Sequence, residues 1–249
     1  MEHGMAIDIL PQPDETTCGP TCLHAMYRYF NDELPLEQVI DEIQRLDHGG
    51  TLAVFLACHA LRRGYRARIY TYNLQMFDPS WFLIDSGIDL RDRLRRQMKF
   101  RKKPSVDLAT AGYLEFLELG GSIEFEELTS GLVRRYLKRG IPILTGLSAT
   151  YLYQSQREYG PDSVYDDIRG KPSGHFVILG DYEPQDRTVL VIDPLHPNPM
   201  APSQYYEINI DRVIGAILLG ILTHDANLLI IEPARKPAAR RHAHTDRRQ

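Results

Sequence analysis

A cysteine at position 18 stands where a thiol can become a nucleophile. It opens the run CGPTCLHAMYRYF (18–30), whose apolar residues recur at helical spacing. Pro20 fits the first turn of such a helix, and Thr16 or Thr17 could cap its exposed amides. Partial positive charge at a helix N-terminus favours the thiolate, the form of cysteine that attacks a carbonyl carbon. Cys18 is therefore a candidate nucleophile, although a cysteine before a buried helix is more often a small core residue.

Gln12 lies six residues before this cysteine, between two prolines that hold its backbone in an extended path. Acyl transfer through a tetrahedral intermediate needs fixed hydrogen-bond donors where negative charge develops on oxygen. The Gln12 amide and the Cys18 backbone N–H would supply two such donors. Without the cysteine, a surface glutamine in a proline-rich entry loop would be the simpler interpretation.

His175 is the histidine best placed to serve as a general base. It follows Ser173 and Gly174 and opens the apolar run 176–179, which is typical of a strand. A base of this kind is distant from the cysteine in sequence and adjacent in space. The remaining candidates lie inside predicted helices, at a helix end or near the C-terminus: His24, His48, His59, His242 and His244.

Asp193 is the candidate that would orient the histidine. It follows the predicted strand 188–192 and precedes Pro194. If strands 176–179 and 188–192 are antiparallel neighbours, Asp193 would lie near His175 and could hold the imidazole in the required tautomer. Because an aspartate before proline also ends many strands in a turn, Asp193 is informative only together with the other three residues.

The order of these four residues and the sequences around them resemble those of the C39-like peptidases of the papain-like superfamily. The resemblance spans about residues 7–233 and is strongest over 9–30 and 172–195. It implies a papain-like cysteine peptidase fold and a cysteine peptidase or amide hydrolase without a cofactor, acting on a peptide or amide substrate through an acyl-cysteine intermediate.

The resemblance also implies a role for each residue. Cys18 would be the nucleophile and His175 the base, Asp193 would orient the base, and Gln12 would support the oxyanion. The Cys-Gly-Ser-Cys-Trp signature of papain and the cathepsins is missing around Cys18, which indicates a more distant branch.

The order of the predicted elements favours the α+β class. Helices are predicted over 18–30, 36–46, 52–63, 88–103, 106–118 and 130–139, with one strand at 66–72. Strands are predicted over 141–147, 176–179, 188–192 and 228–231. This order indicates an N-terminal helical lobe (about 18–140) and a C-terminal antiparallel sheet lobe (about 141–233) within one peptidase domain, 1–234.

Two segments fall outside these elements. Residues 148–174 are predicted to form a long loop whose tyrosines, at 151, 153, 159 and 165, indicate a substrate-facing lid. Residues 235–249 carry six Lys or Arg against one Asp, and we predict a disordered basic tail.

The bulk composition argues against several classes of protein. A formal charge of −4 disfavours nucleic-acid binding. Three cysteines are too few for a disulfide framework, which favours a reducing cytoplasm. The first residues show no basic segment followed by an apolar one, so we expect no secretion signal. The most apolar stretch, 213–222, is well short of the ~20 residues of a membrane-spanning helix, and we expect no membrane partner.

Three alternatives remain open at this stage. Cys18, Cys22 and His24 could ligate a metal, but zinc sites usually add a second close pair. The sequence offers only Cys58 and His59, which would point to different sides of a helix, so no metal is expected. An acyltransferase would use the same nucleophile, base and oxyanion donors and pass the acyl group to an amine. A non-catalytic peptide-binding module could also use a papain-like scaffold.

Overall fold

A computed structural model of the chain describes residues 5–46, 49–83, 87–101, 103–223 and 225–234. The predicted tail 235–249, which contains His242 and His244, lies outside these residues, as does His48. Over the described ranges the α-helices are α1 (Cys18–Tyr29), α2 (Leu36–Glu42), α3 (Ala53–Arg62), α4 (Leu90–Phe100), α5 (Pro104–Glu118), α6 (Ser130–Leu137), α7 (Ala149–Tyr153) and α8 (Ile210–Leu219). Short 3₁₀ helices cover Pro79–Phe82 and Gly220–Thr223.

The strands form one large sheet and one small hairpin. They are β1 (Tyr65–Thr71), β2 (Ser122–Glu124), β3 (Ile143–Ser148), β4 (Glu158–Tyr159), β5 (Val164–Tyr165), β6 (Gly174–Glu183), β7 (Thr188–Ile192), β8 (Tyr205–Asn209) and β9 (Asn227–Pro233). The sheet has seven strands in the order β2-β1-β9-β3-β6-β7-β8, and β4 pairs with β5 separately. Every pair in the sheet is antiparallel except β1 with β2. The predicted α+β class is confirmed.

Helices cover both faces of the central strands. Phe176 and Ile178 of β6 pack in one core with residues of α1, α3 and α5, whereas Val177 and Leu179 pack in a second core with residues of α6 and α8. Successive side chains of a strand point to opposite faces, so a strand buried on both faces is apolar along its length. This burial explains the continuous apolar runs of β3, β6 and β9.

The two halves of the chain share this sheet. The strands β1 and β2 fall within the stretch predicted as the helical lobe, yet β1 pairs with β9 along its whole length, from Tyr65 opposite Pro233 to Thr71 opposite Asn227. The helix predicted over 36–46 is shorter, because α2 stops at Glu42 and Ile43 is already extended.

The segment 148–174 differs from its prediction as an unstructured loop. It holds α7 at its start and the β4–β5 hairpin at its centre, so that prediction was wrong. An α-helix of five residues and strands of two residues are too short to produce a periodic sequence pattern. The elements β2, β8 and α8 were also not predicted.

A buried carboxylate, Asp225, joins α3 to the sheet. Its Oδ2 accepts a hydrogen bond from the Ala53 amide at the start of α3, at 2.5 Å, and its Oδ1 accepts one from Asn227. Burial raises the pKa of Asp225 from its ordinary 3.8 to about 7, although both hydrogen bonds favour the charged form. Between pH 3.8 and about 7, folding is therefore accompanied by the binding of a proton to the Asp225 carboxylate.

This raised pKa predicts a pH-dependent contribution to stability. In this pH range the folded protein binds a proton that the unfolded chain releases. The contribution of Asp225 to the free energy of unfolding is therefore fully present below about pH 4 and is lost as the pH rises towards 7. Asp225→Asn should remove this dependence because an amide does not titrate. The asparagine keeps an acceptor for Ala53, and Asn227, whose Oδ1 has no hydrogen-bond partner among the described residues, can rotate to accept the new amide. The free energy of unfolding of wild type minus that of the variant should fall between pH 5 and 8 in urea titrations. A difference that stays constant over that range would contradict the assignment.

Candidate active site

The site is built around Cys18, the first residue of α1, whose side chain is buried. The chain enters α1 through a tight turn, in which Thr17 Oγ1 donates to the Asp14 carbonyl at 3.0 Å. Neither threonine caps the helix as predicted, because Thr17 bonds back to Asp14 and Thr16 donates to the Asp14 carboxylate. The first amides of α1 therefore have no side-chain acceptor at the N-cap. Their partial positive charge remains available beside the sulfur of Cys18.

The neighbours of Cys18 fix α1 against β6. A Cβ at Gly19 would lie 2.8 Å from a Thr51 methyl carbon and 3.1 Å from the Phe176 ring, so only glycine allows this approach. One turn along, the Cys22 thiol donates to the Phe176 carbonyl at 3.3 Å. Burial raises the pKa of Cys22 well above its ordinary value, which keeps this second thiol protonated. The close contact places the start of α1 beside the residue that precedes Phe176.

That preceding residue is His175, which is buried near the start of β6. Asp193 follows β7, the antiparallel neighbour of β6. The strand pairing brings the two side chains together, and His175 Nε2 lies 2.8 Å from Asp193 Oδ1. Because Nε2 faces the carboxylate, Nδ1 is the ring nitrogen left for Cys18, whose side chain lies near enough to affect the pKa of this ring.

The electrostatics favour a charged imidazole. Burial by itself lowers the pKa of His175, but the charges of Asp193 and of a Cys18 thiolate, with the hydrogen bonds to both, raise it well above its ordinary value. Burial would raise the pKa of Asp193, but the ion pair with His175 and the hydrogen bonds to the carboxylate hold it below its ordinary value. The charged imidazole and the Asp193 carboxylate therefore form a buried ion pair, and Cys18 lies at the start of α1.

Two tyrosines complete the surroundings of Asp193, and the sequence did not predict the contact of either with this residue. The carboxylate is fully buried, and its Oδ1 also accepts the Leu195 amide at 3.0 Å. Its Oδ2 accepts the hydroxyls of Tyr153, from α7, and Tyr206, from β8, each at 2.8 Å. Tyr153 was predicted to face substrate as part of a lid, whereas its hydroxyl points to Asp193. No sequence motif marks Tyr206, since it is one alternating residue of a short strand.

Gln12 is tied to the turn that carries Asp193. Its backbone N–H donates to the Pro194 carbonyl at 2.9 Å, and Gln204 Nε2 donates to the carbonyls of both Leu10 and Asp193. The Gln12 side chain donates through Nε2 to the Asp14 carbonyl at 2.8 Å, and its buried Oε1 has no hydrogen-bond partner within the described ranges. One amide hydrogen of Gln12 is engaged in the turn before Cys18, and the second is left for another acceptor.

The other described candidates for chemistry have structural contacts instead. His24 bonds to the Leu34 carbonyl, and His59 lies between Tyr27 and Glu42. Burial lowers the pKa of both His24 and His59, which favours their neutral forms. Among the residues that the structure describes, no group of three or more His, Cys, Asp or Glu side chains is arranged to hold a metal ion. No helix in the same ranges is long and apolar enough to cross a bilayer.

Comparisons with known proteins find likeness in structure and none in sequence. No family model and no curated protein matches the chain. It is similar to a double-glycine-motif protease from an AMS/PCAT transporter, solved in complex with the leader peptide, at 13% identity over 94% of this chain and 96% of that one, with a TM-score of 0.43. It is also similar to the peptidase domain of Streptococcus ComA, a bifunctional ABC transporter of a quorum-sensing pathway, at 12% identity over 91% and 98%, with a TM-score of 0.42.

A third similar structure is a protein of Bacillus anthracis described as a C39-like peptidase. It shares 12% identity over 94% of this chain and 97% of that one, with a TM-score of 0.46. Likeness at this level concerns the course of the chain and not its chemistry.

Proposed function

We propose that this chain is a cysteine peptidase or amide hydrolase that acts through an acyl-Cys18 intermediate. The observation that supports the proposal is the buried ion pair of His175 Nε2 and Asp193 Oδ1, at 2.8 Å, whose imidazole is affected electrostatically by Cys18 at the N-terminus of α1. A core cysteine does not need a buried, charged histidine beside it. A nucleophilic cysteine does, because the imidazolium stabilises the thiolate and later supplies a proton.

The acylation step follows from this arrangement. The Cys18 thiolate adds to the carbonyl carbon of the substrate, and the carbonyl electron pair moves to oxygen. As the tetrahedral intermediate collapses, the proton on His175 Nδ1 passes to the leaving nitrogen and the C–N bond breaks. The amine departs and a thioester remains on Cys18. Asp193 stays ionised throughout and holds the ring through Nε2.

Deacylation uses the same groups in reverse. His175, now neutral, removes a proton from water, and the resulting hydroxide adds to the thioester carbonyl. The intermediate releases the carboxylic acid and regenerates the thiolate beside the imidazolium. In both steps negative charge forms on the carbonyl oxygen, and we assign the Cys18 backbone N–H and the second amide hydrogen of Gln12 as its donors.

Acylation can be tested directly with intact-protein mass spectrometry. The protein is mixed with a set of short N-acetylated peptide thioesters that differ in the residue at the thioester, and samples are quenched over seconds to minutes. We expect an added acyl mass that digestion locates on Cys18 and that disappears as free acid forms. Cys18→Ala should gain no such mass, while Cys58→Ala, which removes another buried thiol, should behave as wild type.

The outcomes separate the alternative functions. Acyl groups that leave Cys18 only when an amine such as glycinamide is added would identify a transferase. A folded protein that forms no adduct on Cys18 with any thioester and releases no acid would contradict the proposed catalysis and favour a binding module.

A further inference from the structure

The second oxygen of the Asp193 carboxylate is held by two phenol groups. Tyr153 and Tyr206 each donate a hydroxyl to Oδ2 at 2.8 Å, while Oδ1 accepts from His175 and from the Leu195 amide. A carboxylate offers about four acceptor positions, so these four donors fill it. The ring of Tyr153 also lies beside His175, with ring centroids 6.1 Å apart.

Burial makes these hydroxyls matter more than ordinary surface hydrogen bonds. Asp193 is 0% exposed, and its strand-end turn is covered by the segments that carry Leu10 and Gln204. An ionised carboxylate at such a site is stable only if protein donors replace the water it has lost. The imidazolium supplies one donor to Oδ1, and the tyrosines are the described donors to Oδ2.

We propose that Tyr153 and Tyr206 are positioning residues that keep Asp193 ionised and turned towards His175, a role that rests on the function proposed above. They come from elements on opposite sides of the aspartate in sequence, α7 before it and β8 after it. Two donors on one oxygen fix the rotation of the carboxylate, and that rotation directs Oδ1 at Nε2 of the imidazole. Neither tyrosine takes part in bond making.

The proposal has a defined consequence for pH dependence. The titratable and charged groups that bear on this cluster are His175 of β6, Cys18 and Cys22 of α1, Tyr153 of α7, Tyr206 of β8, and Arg212 of α8 through its effect on Tyr206. Removing a hydroxyl removes a donor that favours the charged form of Asp193, so the pKa of Asp193 rises. On acidification the carboxylate is then neutralised sooner, and the imidazolium loses its partner at a higher pH.

The test measures the rate of Cys18 alkylation by iodoacetamide between pH 3.5 and 8 by mass spectrometry. It compares wild type with Tyr153→Phe, Tyr206→Phe and the double variant. The acid-side midpoint should move upward by roughly 0.5 to 1 pH unit in each single variant and further in the double one. Tyr70→Phe is the matched control, since Tyr70 is also buried and its hydroxyl pairs with Tyr136, at 2.7 Å, away from the site. Its midpoint should equal that of wild type.

The outcomes keep the positioning role apart from the proposed function. Midpoints that stay at the wild-type value in all the folded tyrosine variants, with only a lower plateau rate or melting temperature, would overturn the positioning role even if the enzyme hydrolyses amides. A shifted midpoint in a protein that hydrolyses no substrate would support the positioning role and reject the function. A Cys18 that reacts no faster than a free thiol at any pH would overturn both. If one variant fails to fold, the other single variant tests the same oxygen.

Discussion

His175→Ala is expected to abolish most turnover and most thiol reactivity together. Without the imidazolium, the Cys18 thiolate loses its counter-charge and the leaving group loses its proton donor. Loss of a general acid–base typically costs about 10²- to 10⁴-fold in rate, and loss of the ion pair adds to this. Iodoacetamide at pH 6 should label Cys18 rapidly in wild type and slowly in the variant, as followed by mass spectrometry of digested protein.

Two variants bracket this result. His24→Ala removes a different buried histidine, whose one described hydrogen bond is to the Leu34 carbonyl. This variant should leave Cys18 labelling unchanged. Asp193→Asn should fall between wild type and His175→Ala, because the histidine remains while its tautomer is no longer enforced. If Cys18 in His175→Ala reacted at the wild-type rate, the ion pair would not be the source of its reactivity.

Gln12→Ala should separate turnover from thiol reactivity. In the proposed mechanism its second amide hydrogen serves the oxyanion of the transition state and takes no part in the ion pair of the resting enzyme. We therefore expect turnover to fall by roughly 10²- to 10³-fold, or about 3 to 4 kcal/mol of barrier, while alkylation of Cys18 stays near the wild-type rate. Kinetics with any thioester that wild type hydrolyses, together with the alkylation assay, measure both quantities.

Gln204→Ala is the control for loop position. Gln204 holds the same segment through the carbonyls of Leu10 and Asp193, so its loss loosens the loop without removing the proposed oxyanion donor. It should cost much less turnover than Gln12→Ala. Equal losses in the two variants would mean that Gln12 acts by holding the loop, and full activity in Gln12→Ala would reject it as an oxyanion donor.

The sequence was sufficient to place the residues whose positions follow from local patterns. Cys18 is the first residue of a strongly periodic helix, predicted over 18–30 and observed over Cys18–Tyr29. His175 opens an apolar strand and Asp193 ends the next, so antiparallel pairing of consecutive strands is enough to bring them together. These inferences needed only the two periodicities of regular structure and the usual pairing of neighbouring strands.

The features that were missed depend on partners far along the chain. The bond from Tyr153 to Asp193 joins residues 40 positions apart, and neither end carries a local signal for it. Thr16 or Thr17 was predicted to cap the helix, but Thr17 Oγ1 accepts the Asp14 amide instead of a helix amide, a donor that only the folded turn supplies. The pairing of β1 with β9 joins segments that lie far apart in the sequence, from Tyr65 with Pro233 to Thr71 with Asn227, which a pattern read along the sequence does not show.

The place of β9 in the sheet bears on when the protein can react during its own synthesis. Although β9 is the last strand of the described chain, it lies inside the sheet, between β1 and β3. Until residues 227–233 leave the ribosome, the β1–β2 edge has no strand that joins it to β3 and β6. Contacts of such long sequence separation form late because closing the large loop costs entropy. A growing chain therefore carries Cys18 long before it can complete the sheet beneath it, because that sheet waits for residues 227–233.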